Sequence, residues 1–386
     1  MPAEGECGGS LMAKVLIVGG GFAGVVAAES LAKKLSDDDE ITLVSRSHRF
    51  LFHPALVRLA FGKCEQKEIE FDVRDALLDR RVRFVEGEVA RINPEERLLT
   101  FSRGDFVGQM PYDFLVLALG RRLKTEQING FFEFAHHLLD PRSAKAFGAA
   151  ARGFNKGRAV IGYCPGARMP VPIFEAAFAL ARLLEERGKR DDCTITIVSS
   201  ETPDEMCGGI PISGTLMTAL KSRQIELVSN FPINQVTADA VIARDGRSLH
   251  YDLNMLIPPF VGPGALVGTG LTDPEGYARV DTMMRVTGLE KVYAAGDCVS
   301  LKGPKMGHMA VRQGEVVAEN IAAEIQGRAP KEEYDHQLML VIDGGGDESI
   351  FIKKDLWSDE PVEIQHSRFW SWAKRKQQEF WKAKYA

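Results

Sequence analysis

The feature that most restricts this chain is the run Gly19-Gly20-Gly21-Phe22-Ala23-Gly24, which directly follows the apolar stretch Val15–Val18. Val25, Ala28, Leu31, Ala32 and Leu35 then recur at helical spacing, and Ile41–Val44 reads as a second strand. Strand, glycine turn, helix and strand within about 30 residues form a βαβ unit. In such a unit Gly19 permits the tight turn, Gly21 lets backbone approach a pyrophosphate, and Gly24 lets helix and strand pack closely. The helix start, Phe22 and Ala23, offers free N–H groups and a partial positive charge to phosphate. The residue ending the second strand commonly reads a ribose. Here Ser45-Arg46 stands where an acidic residue is usual, and the serine hydroxyl can still bond a ribose hydroxyl.

Two further strand-end signatures follow. Phe114–Ala118 is apolar and ends at Gly120, and Val292–Ala295 ends in Gly296-Asp297. Three separated signatures of this kind point to FAD rather than NAD alone. A second, similar unit begins near Ala159, with a helix expected over Ile173–Glu186 and a strand at Thr194–Val198. The expected fold is α/β: two Rossmann-like three-layer domains followed by a C-terminal amphipathic region. The expected boundaries are 12–120 with 250–325 for a discontinuous FAD-binding domain, 121–249 for the second domain, and 326–386 for the C-terminal region. A chain of 386 residues with 45% hydrophobic and 26% charged residues has ample material for several cores. Its net charge of -5 argues against a nucleic-acid partner.

The order of the three signatures resembles the two-dinucleotide-binding-domain flavoproteins, and this implies that Asp297 bonds the ribityl chain and that Gly296 allows its close approach. Finer motifs resemble one branch of that group. Phe50-Leu51-Phe52-His53-Pro54 followed by Gly62 is similar to a segment shared by sulfide:quinone oxidoreductases and type II NADH dehydrogenases. Pro258-Pro259-Phe260, Gly303-Pro304-Lys305-Met306-Gly307-His308-Met309-Ala310 and Asp343-Gly344-Gly345 resemble the sulfide:quinone branch. The resemblance implies an FAD enzyme passing electrons from a small donor to a membrane quinone. Lys305 would then lie by the flavin pyrimidine ring and steady negative charge. The branch also uses a cysteine relay at the flavin. The positions where its cysteines are expected hold Met169, the stretch Ala135–His137, and Met339–Leu340.

Other residues offer substitutes. Cys164 and Cys207 both follow strands of the second domain, where α/β sites cluster, and are candidate redox thiols. Cys298 reads as a packed residue and Cys7 as a surface thiol. Glu175, expected to open a helix over Glu175–Glu186, is a candidate proton relay to quinone, or else a carboxylate favoured by the helix dipole. The second glycine region, Gly162-Tyr163-Cys164-Pro165-Gly166, followed by Pro170 and Pro172, is poor for a pyrophosphate. A type II NADH:quinone dehydrogenase and a non-catalytic flavin-binding regulator remain the alternatives. No histidine or cysteine spacing suggests a metal site.

All four tryptophans, Trp357, Trp370, Trp372 and Trp381, fall near the C-terminus. Residues 363–386 hold six basic residues against two acidic ones, Glu363 and Glu379. Phe369 and Phe380 share one helical face, and Trp370 and Trp381 form a neighbouring stripe. That pattern suits a lipid interface, or alternatively a helix packed on the FAD domain. The N-terminus has no basic or apolar segment of a signal peptide, and residues 1–11 read as a leader before Met12. The expected location is cytoplasmic, peripheral to the inner face of the membrane, with a homodimer an open alternative to a monomer.

Overall fold

The computed structural model describes residues 12–344 and 348–385. Cys7 and the 1–11 segment lie outside them, as does Gly345 of the Asp343-Gly344-Gly345 motif. The first domain is a five-stranded parallel sheet in the order Val292–Ala294, Phe114–Leu117, Lys14–Val18, Glu40–Ser45, Val82–Glu86. Val15–Val18 and Phe114–Leu117 on its inner strands are wholly apolar and buried, as strands covered on both faces must be. The register sets Val18 beside both Val44 and Leu117, and Leu117 beside Ala294. The three signatures therefore emerge along one carboxyl edge of the sheet, where α/β folds bind ligands. Helix Phe22–Ala32 covers one face and packs closely on helix Gly307–Ile325; a Cβ on Gly314 would meet the Ala23 carbonyl oxygen at 2.6 Å.

The second domain repeats the plan. Strands Ile225–Val228, Cys193–Ser199, Gly157–Tyr163 and Leu253–Ile257 form a parallel sheet, flanked by helix Val171–Glu186 and an antiparallel three-stranded ribbon. Leu253–Ile257 corrects the expected boundary at residue 250. This wholly buried strand pairs with Gly157–Tyr163, so the chain returns to the first domain only after residue 257. The two crossings run side by side, with Arg122 opposite Val261 and Leu123 opposite Phe260.

The C-terminal region holds a sheet the sequence did not announce: Gln337–Asp343, Ser349–Asp355 and Glu363–His366, antiparallel, with helix Arg368–Tyr385 across it. The helix turns Ser371, Gln378, Trp381 and Tyr385 inward. Trp381 lies flat on Phe50, ring centroids 5.0 Å apart, and Trp370 on Phe351 at 3.7 Å. A tryptophan stripe facing lipid is thus corrected: Trp381 belongs to the core of the first domain. Phe369, Trp372 and Phe380 point outward, 53%, 47% and 63% exposed. No helix among the described residues is long and apolar enough to cross a membrane.

Glu175 is also re-placed. Its helix starts at Val171, with proline in the first turn, so Glu175 sits past the helix start rather than at it. It is buried, bonded to Lys374 Nζ at 2.6 Å and accepting from the Asp343 N–H at 2.9 Å. Burial raises its pKa, and Lys374 opposes that rise. The carboxylate ties the second domain to the C-terminal sheet and helix. Lys374→Met would leave it buried without a cation, and should destabilise the fold by about 3 kcal/mol near neutral pH. The loss should shrink as pH falls and Glu175 takes up a proton, because a carboxyl with a raised folded pKa costs stability only while ionised. Urea unfolding of the variant at neutral and mildly acidic pH checks both.

Candidate active site and cofactor cleft

The glycine loop divides its tasks between packing and space. Gly19 has φ +112°, and a Cβ there would lie 2.0 Å from the Ala118 carbonyl oxygen; one on Gly24 would lie 1.9 Å from the Gly19 carbonyl oxygen. These two glycines are required by the protein itself. A Cβ on Gly21 would meet nothing within 4 Å. Gly21 caps helix Phe22–Ala32 with no side-chain bond, so the first N–H groups face open space. The neighbouring signatures close around this loop. Gly296 (φ +81°) comes within Cβ contact of Ala23, and Ser45 Oγ would lie 2.8 Å from a Cβ on Gly20. Gly120 also has a left-handed backbone, φ +69°, with open space beside it. Arg46 is exposed and only loosely paired with Glu88 at 3.8 Å.

Asp297 is half-buried and faces Arg121 Nη1 at 3.4 Å. Arg121 is stacked 3.8 Å over the Phe260 ring, and its other Nη contacts Met169 Sδ. Its Nη1 is buried without a hydrogen-bond partner. Lys305 is buried; its Nζ donates to the Val299 carbonyl and lies 4.7 Å from the Tyr277 ring centre. Burial lowers its pKa to about 8, against the opposing pull of Asp297. Arg168 approaches the same ring, at 5.0 Å. A small cleft runs past Gly296, Asp297, Lys305, Met306, Gln313 and His336. His53 lines a neighbouring wall. Its side chain is accessible yet set deep among protein atoms, where burial and the Arg121 charge lower its pKa.

Arg121, Tyr277 and Arg168 were not singled out by sequence. The only signal was that Arg121 directly follows Gly120 at a strand end. Glu175 stands apart from this group, held by the C-terminal region. The two candidate thiols are not assembled either. Cys164 and Cys207 are free, fully buried and lodged in separate apolar clusters. Burial pushes both thiols far up, away from the thiolate that exchange requires. That burial weighs against their acting as a redox pair. Cys298 is packed as expected, against the carbonyls of Leu117 and Ala295, with its pKa pushed up to about 11.

An uncapped helix start, an open cradle at Gly21 and a buried arginine nitrogen that makes no hydrogen bond match the pyrophosphate and the polar edge of an FAD. With three aligned dinucleotide signatures on one sheet and a second sheet of the same plan, the molecule is an FAD-dependent oxidoreductase with two dinucleotide-type domains. The chain belongs to the pyridine nucleotide-disulphide oxidoreductase family, which it matches over residues 13–314. It is 26% identical over 367 residues to the sulfide-quinone reductase of Aquifex aeolicus, covering 88% of this chain and 83% of that one. It is 24% identical over 370 residues to the alternative NAD(P)H-ubiquinone oxidoreductase C1 of Arabidopsis thaliana, covering 82% and 68%. Among solved structures, the sulfide:quinone oxidoreductase of Aquifex aeolicus superposes with a TM-score of 0.88 at 23% identity. The match covers 96% of this chain and 91% of that one. At that identity the likeness establishes the fold.

Proposed function

We propose that this protein is a peripheral membrane enzyme that passes electrons from a small donor, sulfide or another small sulfur species, through FAD to a membrane quinone. The observation that carries the reading is the two-sided C-terminal helix. Its inner face is fixed to the FAD domain by Trp381 and Tyr385. Its outer face presents Phe369, Trp372 and Phe380 beside the exposed Arg368, Arg375 and Lys376. Aromatic rings flanked by cations suit the interface of an anionic bilayer. The names of relatives that span most of the chain supply the donor and acceptor classes. The location proposed is the cytoplasmic, inner face of that membrane.

In this reading Gly19, Gly21, Phe22, Ala23 and Gly24 hold the pyrophosphate. Ser45 and Arg46 hold the adenosine end, Ala118 and Gly120 allow close approach, and Gly296 and Asp297 hold the ribityl chain. Bound there, FAD supplies two-electron transfer. Arg121 and Lys305 stabilise the negative charge that gathers at the site, in a setting where water is largely excluded. Donor oxidation proceeds without a pair made of Cys164 and Cys207.

A second reading, an NADH:quinone dehydrogenase, is favoured by relatives named for NAD(P)H. Local geometry weighs against it. In the first domain residues 19–21 separate strand from helix, whereas residues 164–170 intervene in the second domain. Pro170 and Pro172 remove N–H donors at that helix start. Anaerobic mixing separates the readings: sulfide should bleach the flavin absorbance and added quinone restore it. Bleaching by NADH alone would transfer the assignment to the second reading, and inertness to every donor would favour a flavin-binding regulator. A triple variant, Phe369→Ser with Trp372→Ser and Phe380→Ser, should lose at least about tenfold in affinity for anionic vesicles and keep its FAD. Unchanged sedimentation with vesicles would remove the membrane role of this helix.

A further inference from the structure

We propose that the C-terminal region is a working part of the cofactor site, holding both the glycine loop and the Gly296–Asp297 turn in their binding geometry. This rests on the assignment of those two motifs to FAD. The residues that do the holding, Tyr334, His336, Trp381, Lys384 and Tyr385, all lie beyond the family match, which ends at residue 314.

The first hold is on the glycine loop. Phe22 is the first residue of the helix that follows Gly21. The Trp381 ring meets it edge to face, centroids 4.9 Å apart and planes at 80°, while lying flat on Phe50. The same end of the C-terminal helix is pinned further along the glycine-loop helix. Glu29, only 2% exposed, accepts from Tyr385 Oη at 2.8 Å and from Lys384 Nζ, and faces Arg80 at 3.4 Å. A buried carboxylate with that many donors is costly to strip, so the C-terminal helix is fastened along the glycine-loop helix by one aromatic and one charged contact. Phe50 and Phe52 also pack on Phe22, so movement of Trp381 would remove one of three rings that hold Phe22 and loosen the N–H groups at the helix start.

The second hold is on the Gly296–Asp297 turn. Gly296 N–H donates to Gln313 Oε1 at 2.7 Å, and the Gln313 side chain faces the Tyr334 hydroxyl, where it opposes the burial-driven rise of the tyrosine pKa. Tyr334 bonds His336 Nδ1 at 3.1 Å, and His336 Nε2 bonds the Lys302 carbonyl at 2.9 Å. Direction is forced along this chain. A carbonyl can only accept, so Nε2 carries the proton, Nδ1 accepts, and the tyrosine hydroxyl must donate. Burial and the nearby Lys305 charge lower the His336 pKa, which keeps the ring in that neutral form. The links from Tyr334 through His336 to the Lys302 carbonyl are therefore polarised one way. Loss of the tyrosine hydroxyl would leave His336 Nδ1 without its donor and take away the group that Gln313 faces, loosening the hold on the Gly296 peptide.

The outward face of the C-terminal helix takes no part in either hold. Lipid contact and cofactor retention thus occupy opposite sides of one helix.

The test uses the full-length protein stripped of FAD and titrated with FAD. Tyr334→Phe and Trp381→Ala should each weaken FAD binding at least about tenfold, and together by about the product, since the holds are separate. Trp381→Phe should restore most of the affinity. The exposed-face control Trp372→Ala should bind FAD as the parent does. Bound flavin in Tyr334→Phe should also show a displaced visible absorbance band or midpoint potential, which loss of stability alone would not cause. FAD affinity within twofold of the parent in Tyr334→Phe overturns the second hold, and the same result in Trp381→Ala overturns the first. If Trp381→Ala does not fold, Trp381→Leu takes its place. A parent protein that takes up no FAD would refute the motif assignment instead, which keeps the two failures apart.

Discussion

Gly21→Val should give a protein that folds and purifies without colour. The new side chain enters space in which no protein atom lies within 4 Å of its Cβ, and Gly21 has an ordinary φ of -84°. The cost to the empty protein is the loss of a good helix cap, about 1 kcal/mol. That same space lies where backbone N–H groups at the helix start would meet a pyrophosphate. An isopropyl group placed there should weaken FAD binding by at least about a hundredfold, equal to about 3 kcal/mol. Gly24→Ala should fail differently. Its methyl group would sit 1.9 Å from the backbone oxygen of Gly19, so helix and strand must separate, and the protein itself should lose about 1–3 kcal/mol. The flavin absorbance of purified protein, read beside the melting temperature of the stripped protein, distinguishes the two. A Gly21→Val protein that retains stoichiometric FAD would show that the cradle is not the phosphate site.

The contrast between Gly21 and Gly24 also shows what a sequence can and cannot carry. The spacing of three glycines after an apolar strand is enough to draw the turn, and the inner strands and Val292–Ala294 are marked by apolar runs, whereas Val82–Glu86 is not. Register was then nearly inevitable, because three strand ends each carry a signature that must share one ligand. The C-terminal sheet was harder to see. Leu338–Ile342 and Ile350–Ile352 are apolar runs, but Lys353, Lys354 and Glu363 interrupt the pattern, and nothing in the sequence pairs these strands with one another. The aromatic stripes of the last helix were visible, but periodicity gives only relative angle. Which stripe faces inward was decided by what stands opposite, namely Phe22, Phe50 and Glu29, and those lie more than 300 residues earlier. Arg121 and Arg122 make the same point within one dipeptide. The first has a side chain 13% exposed and turned toward Asp297; the second is 50% exposed and paired with Glu126. Only the crossing of the two inter-domain strands separates their environments. Cys164 and Cys207 were legible as strand-end thiols, but not as residues of separate cores.

Raising the pH through about 8 should weaken FAD binding, with Lys305 as the cause. Burial is the largest influence on that lysine, and Arg168 and Arg121 add to it, while Asp297 and Cys298 oppose it; the result is a pKa of about 8. An anionic cofactor in the same cleft favours the charged ammonium and so raises that pKa. Binding then takes up a proton whenever the lysine of the empty protein is neutral. Below about pH 8 the lysine is charged with or without FAD, and affinity should be flat. Above it the dissociation constant should rise by up to about tenfold per pH unit, until the pKa of the loaded protein is reached. Neighbouring groups do not imitate this. Tyr277 is pushed up to about 12 and Cys298 to about 11, both by burial, and His336 is lowered. The stability of the empty protein should move in the opposite sense. Because the unfolded lysine holds its proton up to about pH 10.4, the unfolded chain binds more protons across this window, and stability should rise with pH. Lys305→Met should bind FAD more weakly at neutral pH and lose both slopes. An FAD dissociation constant that stays level from about pH 8 to about 9.5 in the parent would exclude this proton uptake, because that window lies between the folded value of about 8 and the unfolded value of about 10.4. A slope that survives in Lys305→Met would assign the proton to another group of the cleft.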